Sequence, residues 1–157
     1  MTFLRTLVQA WLCLLLVACT GGPVRRVSEP AASIQQLTVR ADGSWSVDLR
    51  LENFSTVPMR FDTVSLALKV GGESAGTLQG QPRLSVGPES ADVATLTMHP
   101  SPPARIVLAD ALAGQSSVVY SFEGTLDAAP ENANARSYRV KRSSGLSPVP
   151  GLPGVLR

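Results

Sequence analysis

Residues 45–53, WSVDLRLEN, place Trp45, Val47, Leu49 and Leu51 at every second position. Ser46, Asp48, Arg50 and Glu52 fill the gaps. A helix would scatter that apolar set around its circumference, whereas an extended strand collects it on one face. The stretch therefore reads as a strand with one dry and one wet face, and something else must cover the dry one. Residues 34–39 read as a shorter strand before it, and Asp42-Gly43 between them is a strong two-residue hairpin signal.

The same period recurs downstream. Val64, Leu66, Leu68 and Val70 alternate with Ser65, Ala67 and Lys69 up to Gly71-Gly72, and residues 74–78 can pair back across that turn. Phe61 lies out of phase with Val64, which predicts a bulge near Asp62-Thr63. Ala94, Leu96 and Met98 alternate again. So do Val118, Tyr120, Phe122 and Leu126, with Gly124 in phase, and residues 137–141 follow with Tyr138 and Val140 inward. One segment breaks the period. SPPARIVLADALAG offers Ser101 as N-cap, Pro102 at the first helical position and Gly114 as the stop, with Leu108, Ala111 and Leu112 on one face. Six or seven short strands and one short helix predict a mostly β fold. The expected architecture is an antiparallel sandwich of immunoglobulin or fibronectin type III kind over residues 33–142. Residues 143–157, rich in proline and glycine, form a tail expected to be extended, either free or laid along the domain.

The N-terminus has a different character. Residues 7–17 are apolar except for Gln9, and Arg5 is the lone charge before them. The run falls short of the roughly 20 residues that span a bilayer and has the form of a secretory signal. It ends in Leu16-Val17-Ala18-Cys19, which resembles the bacterial lipoprotein signal. That resemblance implies a signal peptide over residues 1–18, cleavage before Cys19, a diacylglycerol thioether on its sulfur and an acylated amine. The protein would then be held in a membrane through Cys19. Thr20 stands where an aspartate retains many Gram-negative lipoproteins at the inner membrane. The resemblance thus implies the inner leaflet of the outer membrane, with the domain facing the periplasm. Residues 19–32, with two glycines and two prolines, read as the lipidated cysteine and a flexible tether. With Cys13 lost and Cys19 acylated, the mature chain keeps no thiol and no disulfide.

Charge is unevenly spread. Residues 33–131 carry 6 basic and 11 acidic side chains, while residues 132–157 carry 5 basic and no acidic ones. The basic end is open to three readings: solvated, docked on the acidic body, or in contact with an anionic surface such as lipid head groups or glycan.

Residues 49–98 carry more than generic β-sequence. Asn53 closes a strand and Val57-Pro58 follows in the turn. Then come the long strand 64–70, Gly71-Gly72, Ala75-Gly76 and Val86-Gly87-Pro88. This order resembles the late-embryogenesis-abundant (LEA) type 2 domain, also called the water stress and hypersensitive response (WHy) domain. One departure is Phe54, where the family usually has proline. The marked residues Asn53, Pro58, Gly71, Gly72, Gly76, Gly87 and Pro88 have structural roles. An Asn side chain can cap a turn's amides, and proline fixes an extended approach to the next strand. The resemblance implies a fibronectin-like sandwich tied to desiccation and stress tolerance, with no catalytic residue.

The remaining chemistry is sparse. His99 is the only histidine and reads as a solvated loop residue; no metal site and no cofactor are expected. Asp48 and Glu52 lie about 13 Å apart on one strand, too far for paired-carboxylate hydrolysis. Asn53-Phe54-Ser55 matches a glycosylation acceptor by chance. The basic cluster Arg139, Lys141 and Arg142 has only Tyr138 beside it, which argues against nucleic acid. The expected function is non-enzymatic: a membrane-anchored monomer that shields envelope client proteins from aggregation or inactivation under water stress. The alternative is an envelope-assembly module that binds a specific protein partner through a sheet edge or the basic end.

Overall fold

A computed structural model describes Gly22 and residues 24–157. Cys19 and the lipobox residues Leu16, Val17 and Ala18 lie outside them, as does the whole signal segment. Among these residues nine strands and one helix form, in the order β1 (Ala31–Val39), β2 (Trp45–Asn53), β3 (Met59–Val70), β4 (Glu73–Gly80), β5 (Leu84–Val86), β6 (Ser90–Met98), α1 (Pro102–Ala113), β7 (Val118–Pro130), β8 (Arg136–Leu146) and β9 (Val155–Leu156). All strand pairs are antiparallel. One sheet runs β6-β2-β1-β9; the other runs β4-β3-β7-β8, with β5 also on β3.

The alternating pattern explains the two layers. Trp45, Val47, Leu49 and Leu51 of β2 are at most 1% exposed. They face Met59, Phe61, Val64, Leu66 and Leu68 of β3 and Tyr120, Phe122 and Leu126 of β7 in one core cluster. Fully burying such a side chain contributes about 1.5–3 kcal/mol, and no cysteine among the described residues adds a crosslink. The expected bulge sits between Phe61 and Thr63 on the β7 side of β3, and it keeps both Phe61 and Val64 inside. A second bulge, between Ile34 and Gln36, likewise brings Ile34 and Leu37 inward; the sequence did not suggest it. Near it the Ile34 N–H donates across the sandwich to the Tyr120 hydroxyl at 3.1 Å, and Tyr120 stacks on Phe122.

The sandwich has two unlike ends. The crown holds the 40–44 turn, Gly71-Gly72, α1 and residues 147–154. The base holds the 54–58 turn, the 87–89 turn, the 131–135 turn and the incoming N-terminal segment. Ser101 caps α1: its hydroxyl accepts from the Ala104 N–H and donates to the Ser74 carbonyl. Gly71 has φ +57°, and a Cβ there would strike the Val107 side chain of α1. The helix thus lies against the β3–β4 turn. The 40–44 connection is longer than a two-residue turn, because Asp42 draws Ser44 into it through the backbone N–H and hydroxyl.

Two expected boundaries move. Residues 24–30 do not behave as a flexible tether, since hydrogen bonds hold them to the 54–56 turn. The tail boundary at residue 142 also fails. β8 continues to Leu146, and residues 147–157 double back as a small hairpin, with paired Ser147–Arg157 and Val149–Val155 backbone bonds. Its last strand, β9, adds to β1 and buries Leu156 completely, because that leucine completes the dry face of the first sheet. The basic residues assigned to a tail are mostly in β8, where Lys141 meets Glu123 at 3.8 Å and both are well exposed.

At Gly124 the backbones of β7 and β3 leave no room for a side chain. A Cβ there would run into the Ser65 carbonyl oxygen and the Leu66 backbone. Gly124→Ala should therefore cost about 1–3 kcal/mol through forced backbone shifts. Gly145→Ala, which meets nothing within 4 Å, should leave stability unchanged. Urea denaturation of the two variants checks both.

Candidate functional site

Four of the seven residues marked by the sequence, Asn53, Pro58, Gly87 and Pro88, meet at the base. Asn53 ends β2 and is 1% exposed. Its Nδ2 donates to the carbonyls of Val57 at 2.9 Å, Gly87 at 2.8 Å and Val86 at 3.2 Å, and its Oδ1 accepts from the Ser55 N–H at 2.9 Å. The two amide hydrogens are thus shared over three carbonyls, and the side chain is saturated. This one amide ties the chain's crossing from the first sheet to the second, through residues 54–58, to its return through residues 87–89. Its Oδ1 caps the Ser55 amide, and its Nδ2 reaches beyond the local turn. The same saturation closes the glycosylation reading, since the amide nitrogen is buried and engaged.

Ser55, completely buried, extends the network. Its hydroxyl accepts from the Ser28 N–H at 3.0 Å and donates to the Ser28 carbonyl at 3.3 Å. Its carbonyl accepts from the Glu89 N–H at 3.0 Å. Pro58 leads into β3, and its carbonyl accepts from the Glu131 N–H at 2.8 Å. Gly87 also accepts from the Ser90 hydroxyl, and Pro88 follows it in the same turn. Gly71, Gly72 and Gly76 stand apart from the base. The first two make the β3–β4 turn, with φ of +57° and +88°, and Gly76, at φ +117°, lies on β4 under Met98. All three conformations are ones that side chains rarely adopt. Sequence reasoning missed Ser55 and Ser28, although the Asn-x-Ser spacing after a strand is the signal of an Asx turn.

The crown carries a different feature. An open groove of about 400 Å³ runs between the end of α1 and the 148–154 loop. Its apolar lining comes from Leu112, Ala113, Pro148, Val149, Leu152 and Pro153. Leu152 is 48% exposed. The groove is open to solvent and can accept apolar side chains from outside.

The outer faces are rows of small polar groups. Thr97, Ser46 and Thr38 stand in register on the first sheet, followed by Thr95, Asp48 and Gln36. Gln79, Ser65, Thr125 and Arg139 form such a row on the second. None of these side chains is buried. Asp48 accepts from the Thr95 hydroxyl at 2.7 Å and Glu52 pairs with Arg50 at 3.0 Å, so the two carboxylates serve separate partners. The Ser44 hydroxyl and N–H hold the Asp42 carboxyl below the ordinary 3.8, and the Arg60 guanidinium does the same for Asp62. His99 is exposed. Among the described residues no group of three or more His, Cys, Asp or Glu could hold a metal, and no helix is long and apolar enough to cross a membrane.

No protein-family model and no curated protein matches the chain. Solved structures share its fold. The solution structure of At2g46140.1, proposed to be a late embryogenesis abundant (LEA) protein, has TM-score 0.50 at 11% identity, covering 98% of this chain and 85% of that one. The solution structure of AT1g01470 from Arabidopsis thaliana has TM-score 0.51 at 8% identity, with 80% and 82% covered. The structural-genomics target SoR45 has TM-score 0.50 at 11% identity, with 81% and 92% covered. The chain thus has an LEA-type β-sandwich fold.

Asn53→Ala should destabilise the protein by about 3 kcal/mol, because it orphans buried backbone groups. Asn53→Asp should cost at least as much, since a carboxylate would face three carbonyls. Urea midpoints at unchanged slope would read this directly.

Proposed function

We propose that the protein is a non-enzymatic stress-protection protein, anchored in the cell envelope by lipid on Cys19, that shields client proteins during water loss. The observation that carries the reading is the LEA-type sandwich, which matches the At2g46140.1 structure over nearly the whole chain. The outer faces support it, because rows of hydroxyl, amide and charged groups can hold water or replace it on a drying protein surface. The groove at the crown supplies apolar surface for transient contact with partly unfolded clients. Localisation at the inner leaflet of the outer membrane rests on the Leu16–Cys19 resemblance and on Thr20.

A second reading is an envelope module that binds one protein partner. It is favoured by β8, an edge strand of 11 residues carrying Arg136, Arg139, Lys141 and Arg142, all exposed. Such an edge can accept an added strand, although its charges also resist indiscriminate pairing.

The chain from Thr20 onward is dried or heated with a labile enzyme, against serum albumin at equal mass. The protective reading predicts recovered activity well above albumin. It also predicts that Leu152→Ser lowers recovery while leaving the melting curve unchanged, as exposed substitutions do. Recovery equal to albumin would overturn protection and leave the partner-binding reading in its place.

A further inference from the structure

The base fixes where the anchored chain leaves the sandwich. The Arg26 N–H donates to the Thr56 hydroxyl at 2.9 Å, and the Thr56 N–H donates back to the Arg26 carbonyl at 3.0 Å. The Thr56 hydroxyl donates to the Val24 carbonyl at 2.9 Å. Arg26 Nη2 reaches the Phe54 carbonyl and Glu89, both at 3.1 Å, and Arg25 donates to the Glu131 carbonyl. With Ser28 on Ser55 and Pro30 buried, the chain is bound to the base from Val24 onward. Only four residues lie between Cys19 and Val24 in the sequence, which makes five Cα-to-Cα steps. Fully extended, they span about 18 Å. A lipid on Cys19 would therefore hold the base, and not the crown, against the bilayer.

The base is also apolar where it would meet lipid. Val24 is 80% exposed, Val27 44% and Phe54 49%. The other large exposed apolar side chains among the described residues, Ile106, Val119 and Leu152, are at or beside the crown. Charges around the base are of both signs, with Arg25, Arg26, Arg60 and Arg136 near Glu29, Glu52, Asp62, Glu89 and Glu131, so apolar contact rather than net charge favours the lipid interface.

We infer that the base is a membrane-seating surface, on which Val24, Val27 and Phe54 rest in the interfacial layer of the leaflet that carries the Cys19 anchor. The sandwich then stands end-on. β3, 12 residues long, sets its height at roughly 40 Å, so α1 and the crown groove face away from the membrane. The inference rests on the lipid anchor proposed above, and it explains how a groove for clients stays clear of lipid.

The test separates seating from anchoring. The chain beginning at Cys19 is coupled through that thiol to phosphatidylcholine vesicles bearing a maleimide headgroup lipid, with or without brominated acyl chains. Trp45, buried 1% exposed at the crown end of β2, is the only native tryptophan after Cys19 and gives a constant background. Phe54→Trp and, independently, Val24→Trp should add emission that is blue-shifted and lost to the brominated lipid. Ile106→Trp should add emission that the lipid does not touch. Unquenched emission at both 54 and 24 would overturn the inference, whether those sites were aqueous or shielded by a second copy. Equal quenching at 106 would also overturn it, since the domain would then lie flat. Palmitate labelling of cells, lost in Cys19→Ala, reads the anchor itself; its failure would sink the anchor without disturbing the coupled measurement.

Discussion

Both crossings of the chain between its sheets at the base depend on one buried amide. Asn53 accepts from one turn and donates into two, and its four bonds join segments more than 30 residues apart in sequence. Loop connections normally sit on the surface because their backbone groups need water. Here they can be buried because a single side chain supplies the partners. With those turns fixed, β3 and β6 start in register, and the apolar faces of the two sheets meet. Ser55 passes the constraint to Ser28, so the incoming chain is aligned with the same frame.

The two ends divide the work of the molecule. The base is held by specific hydrogen bonds, and Asn53, Pro58, Gly87 and Pro88 sit in or beside its turns. The crown is held by packing: Val107 over Gly71, Leu156 in the first sheet, and the 147–157 hairpin beside α1. Between them lie polar, hydrated sheet faces whose ion pairs are exposed and contribute little to stability. The hydrophobic core therefore supplies the cohesion, and the base supplies the geometry.

Strands were legible where the period of two ran long enough to be unambiguous. β2, β3, β6 and β7 could be read from their alternation, and the bulge at Phe61–Thr63 from a single break in phase. The helix was legible from Ser101, Pro102 and Gly114, which act locally. β5 and β9 were not, because strands of 3 and 2 residues carry no period. Proline and glycine also hid the hairpin that ends in β9, since the composition of a tail is equally that of tight turns. The binding of residues 24–30 depends on partners from about 30 to more than 100 positions away, so local reading made that segment a tether. Asn53 was visible as a turn cap; its bonds to Val86 and Gly87 follow only from the register of β6 on β2.

The account stands or falls on whether the base is one hydrogen-bonded unit that includes the incoming chain. Amide hydrogen exchange on the whole protein tests this most directly, because strongly held amides open only with the fold. The account predicts that the amides of Arg26, Ser28, Ser55, Thr56 and Glu89 exchange as slowly as those in the centre of β2. Exchange of Arg26 and Ser28 at the rate of an unstructured peptide would contradict it, and would return residues 24–30 to the role of a free tether.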